Sequence, residues 1–84
     1  MDLVFDIETD DLKATKIWCL VAQDMDSGKI YKFPPEKLSE GYEMLSNADT
    51  LIGHNIIGFD IPMVEKFGGV DLSKIPVIDT LVLS

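Results

Sequence analysis

Eighty-four residues, 46% of them apolar, make one small domain or a piece of a larger one, and no low-complexity tract argues for disorder. Fifteen acids face seven lysines and no arginine, a formal charge of -8 that argues against a basic nucleic-acid-binding surface and suits metal ions or a positive partner. With Cys19 as the single cysteine there is no intrachain disulfide and no thiolate zinc site; the start lacks a basic region followed by an apolar stretch, and no run is long enough to cross a bilayer, so a soluble intracellular protein is expected.

LVFDI, residues 3 to 7, reads as a strand bounded by the polar TDD. IWCLVAQD, 17 to 24, reads as a second and well-buried strand, in which Cys19 is expected to be a buried, unreactive thiol. MDSGK, 25 to 29, is a turn centred on Ser27 and Gly28, and IYKF, 30 to 33, alternates as an edge strand does. Strands two and three therefore form an antiparallel hairpin, which Pro34 and Pro35 end. Leu38, Tyr42 and Leu45 then recur at helical spacing. DTLIGHN, 49 to 55, gives a short strand, TLIG, that ends in two polar residues. In FDIPMVEKFGG, Ile61, Val64 and Phe67 are spaced as one helix face, with Gly68 and Gly69 as the stop. PVIDTLVLS, 76 to 84, starts as a strand and turns helical at Asp79. This order describes an α/β domain with a mixed sheet. Because VIDTLVLS stops in mid-pattern, residues 1–84 are expected to be the N-terminal fragment of a longer protein.

Three stretches can carry chemistry. Alternation along the first strand puts Asp6 and Glu8 on one face with Cα atoms about 6.5 to 7 Å apart. Two carboxylates so placed repel unless one is protonated or a cation lies between them, and oxygen ligands suit Mg²⁺ or Mn²⁺. The competing reading is a solvated strand end. In GHNIIGFD, 53 to 60, a short connection delivers Asp60 to a helix start, where it is either a plain N-cap or a metal ligand. In IDTLVL, Asp79 sits where strand gives way to helix and is read as a cap. The acids at 24, 26, 36, 40, 43, 49, 65 and 71 are read as solvated. Phosphate-binding glycine loops and the H-E-x-x-H zinc motif do not occur.

Taken together and in this order, D-x-E at 6–8, H-N-x-x-x-F-D at 54–60 and I-D-T-L-V-L-S at 78–84 resemble the proofreading 3'→5' exonuclease domain of A-family DNA polymerases, in the form found in phage T7-like replicative enzymes. The resemblance implies a ribonuclease-H-like exonuclease fold, a mixed sheet with flanking helices, here incomplete. It also implies two divalent metals, Mg²⁺ or Mn²⁺, held by carboxylates from separate motifs. Asp6 and Glu8 match the first motif and Asp60 the second, as catalytic and metal-holding residues. Thr9 and Leu12 match positions against the terminal nucleotide, the leucine pressing on the last base, and Asn55 matches an asparagine near the substrate. His54 stands where histidine often does and carries no assigned role in catalysis. The gap from Asn55 to Asp60 is one residue longer than in bacterial polymerase I, in keeping with the T7-like branch.

The implied partners are a single-stranded DNA 3' end and the polymerase domain of the parent chain, in the cytoplasm (of a bacterial host, for a phage protein), with no membrane role. The family's third motif, Y-x-x-x-D or H-x-x-x-D, occurs nowhere in the sequence, so the isolated fragment is expected to lack efficient catalysis. Two rival readings remain: a stand-alone ribonuclease-H-like exonuclease resembling oligoribonuclease, and a non-catalytic acidic α/β module that docks on a basic partner.

Overall fold

The computed structural model describes residues 1–9 and 16–83. A first strand, β1 (Asp2–Thr9), buries Leu3, Phe5 and Ile7 and exposes Asp6 and Glu8, the period-2 pattern of a strand packed on one side. It runs two residues past the apolar stretch because β2 (Ile17–Asp24) continues to pair with it, Glu8 against Cys19 and Thr9 against Ile17. The register shifts between those two pairs, so Trp18 has no opposite number and forms a bulge, 47% exposed. A turn closed by the Gly28 N–H on the Asp24 carbonyl, at 2.7 Å, leads into β3 (Ile30–Phe33) at the sheet edge.

After a 3₁₀ turn, Pro35–Lys37, helix α1 (Leu38–Ser46) buries Tyr42 and Leu45, the expected face. The chain then enters β4 (Thr50–Gly53), which lies parallel to β1. Helix α2 (Ile61–Gly68) returns it to β5 (Val77–Asp79), parallel to β4, and α3 (Thr80–Leu83) follows directly. The sheet order is β3-β2-β1-β4-β5, antiparallel on one side of β1 and parallel on the other.

The core lies between the sheet and the two longer helices, where Leu3, Leu20, Leu45, Leu51, Ile56, Val64 and Leu72 are essentially inaccessible. Each such side chain contributes about 1.5 to 3 kcal/mol by leaving water. On α2 the inward stripe differs from the expected one. Asp60 and Val64 are buried and Gly68 backs onto the Tyr42 ring, an i, i+4 row, so Phe67 is turned out to 37% exposure. Gly69, at φ 65°, takes the left-handed position that ends this helix, its N–H on the Glu65 carbonyl at 3.1 Å. Glu65 is not simply solvated either: its half-buried carboxylate accepts the Leu72 N–H at 2.9 Å and ties the following loop to the helix.

The other face of the sheet carries Val4, Asp6, Glu8, Cys19, Val21, Ile30, Ile52 and Ile78, none of them buried. Cys19 is therefore half-buried on the open face opposite Glu8, contrary to the buried reading, because alternation along β2 gives the core positions to Leu20 and Ala22. No helix among the described residues is long and apolar enough to cross a membrane.

Candidate active site

The parallel ladder between β4 and β1 is short. It pairs Asp2, Leu3 and Val4 with Thr50, Leu51 and Ile52 and then stops, leaving the β4 side of β1 without a strand partner from Phe5 onward. Gly53 is required where β4 leaves. A Cβ there would lie 2.4 Å from Ile56 Cγ2 and 3.0 Å from the Phe5 carbonyl oxygen, closer than side chain and backbone can approach. The next residues fold over the gap.

Asn55 takes the left-handed conformation, φ 59° and ψ 32°, which asparagine tolerates better than most residues. A π turn, Ile56–Asp60, follows, and the Ile61 N–H reaches back to the Ile56 carbonyl. The five residues Ile56–Asp60 thus form a wider turn, from whose end Asp60 leaves the connection.

Asp60 is 5% exposed, and its carboxylate makes no cap to its own helix. Its Oδ2 instead accepts the Ile7 N–H of β1 at 3.3 Å, the backbone donor that β4 leaves unpaired. Burial and then the Asp6 carboxylate raise its pKa from 3.8 to about 6, opposed by the Ile7 N–H and helped by Asp79. The N-cap reading of Asp60 is therefore displaced by a long-range contact to β1.

Of the neighbouring carboxylates, Asp6 raises the Asp60 pKa more than Asp79 does, and Glu8 is exposed on the same face of β1 as Asp6. Among the described residues no three His, Cys, Asp or Glu side chains converge as a ready-made metal cage. Thr9 is half-buried at the bulge that ends the regular pairing of β1, and Asn55 is exposed at the head of the π turn. Leu12 lies outside the described residues. His54 is exposed, its Nδ1 3.0 Å from the Thr80 hydroxyl, which itself donates to the Gly53 carbonyl at 3.4 Å.

Asp79 does cap α3, its Oδ1 accepting the Leu81 N–H at 2.9 Å. It also accepts two N–H groups from the other side of the site, Asn55 at 2.8 Å and Ile57 at 2.9 Å. Local sequence shows the cap, because aspartate before a helix is a short-range signal. The reach to residues 22 and 24 positions earlier has no sequence signature.

No protein-family profile and no curated protein matches the sequence. Among solved structures, the chain is similar to the family B DNA polymerase from the hyperthermophilic archaeon Pyrobaculum calidifontis, with 24% identity and a TM-score of 0.63 over 84% of this chain. This chain spans 11% of that polymerase's length. The likeness is one of fold. It agrees with the mixed five-stranded α/β sheet above, which is of the ribonuclease-H-like kind that the motifs led us to expect.

Proposed function

We propose that the chain is part of the 3'→5' exonuclease domain of a DNA polymerase, and that Asp6, Glu8 and Asp60 supply carboxylates for divalent-metal hydrolysis of a DNA 3' end. The observation that carries this reading is the contact of Asp60 with the Ile7 N–H beside Asp6, which joins two sequence motifs separated by more than fifty residues. A plain helix cap would have turned the Asp60 carboxylate onto its own helix rather than onto β1.

The donor chemistry fits Mg²⁺ or Mn²⁺. Asp6 and Asp60 offer hard oxygen atoms, and a repulsion between them that a cation would relieve. Magnesium is commonly held by one or two carboxylates together with substrate phosphate, so a pair of protein ligands without a closed cage suits it. When bound, such metals generate hydroxide from water and stabilise the leaving 3' oxygen. The chain's own residues then have distinct tasks. The Ile7 N–H meets the Asp60 carboxylate, Asp6 and Glu8 present charge on the open face of β1, and Asn55 is assigned to the substrate strand on the motif match. Thr9 and Leu12 are assigned to the terminal nucleotide on the motif match. The acidic balance of -8 is compatible with this role, since the cations supply the positive pole for the phosphate.

Within polymerases, we assign the chain to the phage T7-like A family on the spacing of HNIIGFD and on IDTLVLS, although the polymerase it is similar to in structure is of family B. Titration of the metal-free chain with Mn²⁺ tests the site. Binding is expected in the wild type and should weaken at least about tenfold, roughly 1.4 kcal/mol, in Asp6→Ala and in Asp60→Ala. Equal affinity in all three proteins would remove the metal site and favour an acidic docking module.

A further inference from the structure

We propose that Asp79 is a positioning residue for Asp60, holding the connection between β4 and α2 in the conformation that lays the Asp60 carboxylate on β1. The inference deepens the exonuclease reading and rests on it for its functional meaning.

A cap for α3 needs only the Leu81 N–H, yet the Asp79 carboxylate, 3% exposed, also accepts the Asn55 and Ile57 N–H groups on its two oxygens. Asp79 is itself held by the sheet, where it pairs with Gly53 across the β4–β5 ladder. The last residue of β4 and the first turn of the connection are thereby referred to one rigid point. Asn55 is fixed in its left-handed conformation, the N–H of the second π-turn residue is anchored, and Asp60 emerges at the end of that turn. Its contact with the Ile7 N–H is long, at 3.3 Å, so Asp60 depends on the turn for its place more than on that bond. Asp79 touches neither metal nor DNA in this scheme.

Asp79→Ser separates positioning from capping. Serine caps a helix start well but is too short to span Asn55 and Ile57 as well. Two readouts are followed on the full 84-residue chain. In metal-free buffer the Ile7 amide reports the place of Asp60, and its hydrogen exchange should accelerate about five- to tenfold in Asp79→Ser, as expected for one lost hydrogen bond. Mn²⁺ affinity should fall about 10- to 100-fold, the usual effect of losing a residue that orients a metal ligand. Ala48→Gly, a destabilising change in a buried residue after α1, is the control and should alter neither readout beyond its effect on global stability. Asp79→Asn, which keeps the shape but turns one acceptor into a donor, should reproduce the serine result if the serine variant fails to fold. Wild-type Ile7 exchange in a folded Asp79 variant would overturn the proposal. Absence of Mn²⁺ binding in the wild type would defeat the exonuclease reading, while the Ile7 amide would still decide the role of Asp79.

Discussion

Replacing Asp60 by asparagine should stabilise the metal-free protein at neutral pH and leave it little changed in acid. In the folded chain the Asp60 carboxyl titrates at about 6 rather than 3.8, chiefly through burial and then through Asp6. Between those values the native state keeps a proton that the unfolded chain has released, so stability is full below the unfolded pKa and is lost as pH rises through the folded one. Each pKa unit corresponds to about 1.4 kcal/mol, which puts the loss at roughly 3 kcal/mol by pH 8, or about 1.5 to 3 after allowing for water that reaches the site. Asparagine pays none of this, being neutral throughout, and its Oδ1 still accepts the Ile7 N–H. Urea unfolding in EDTA from pH 3.5 to 8, with wild type and variant compared at each pH, isolates the effect from the other fourteen acids. The variant should gain on the wild type steadily from pH 4 to 7 and then level off. A stability difference independent of pH would refute the placement of Asp60 against Asp6.

Other outcomes follow from single contacts. Gly53→Ala should cost about 1 to 3 kcal/mol in urea unfolding, because the new methyl meets Ile56 and the Phe5 carbonyl; a cost below about 0.5 would mean that the connection yields easily. Leu51→Ala, at the centre of the parallel ladder and 0% exposed, should lose about 2 to 5 kcal/mol in the same assay. The purified chain should release no mononucleotides from single-stranded DNA with Mg²⁺ or Mn²⁺. Release that EDTA and Asp6→Ala both abolish would show that the third motif is dispensable.

The strands were readable because each depends on local alternation. β2 and β3 begin and end where composition changes, and β5 turns into α3 at the aspartate that caps it. β1 was read too short because Glu8 and Thr9 are polar, and only pairing with β2 keeps them extended. The α2 face was read as 61, 64 and 67. The close approach of Gly68 to Tyr42 rotates the helix so that Val64 and Asp60 point inward and Phe67 outward, which depends on a partner outside the segment. Asp60 was legible as a residue with two competing roles, and choosing between them required the position of β1. The site residues Asp6, Glu8 and Asp60 came from motif order. That order contains nothing of the Ile7 contact. The clamp by Asp79 was out of reach for the same reason: its partners lie across the sheet end, and each residue taken alone looks like ordinary turn or cap chemistry.

Anomalous diffraction from crystals of the chain soaked in Mn²⁺ tests the central claim most directly. A manganese peak within coordination distance of Asp6 and Asp60 oxygens is expected, absent in Asp60→Ala crystals. Saturated crystals with no peak at that pair, or with manganese bound only elsewhere on the acidic surface, would contradict it.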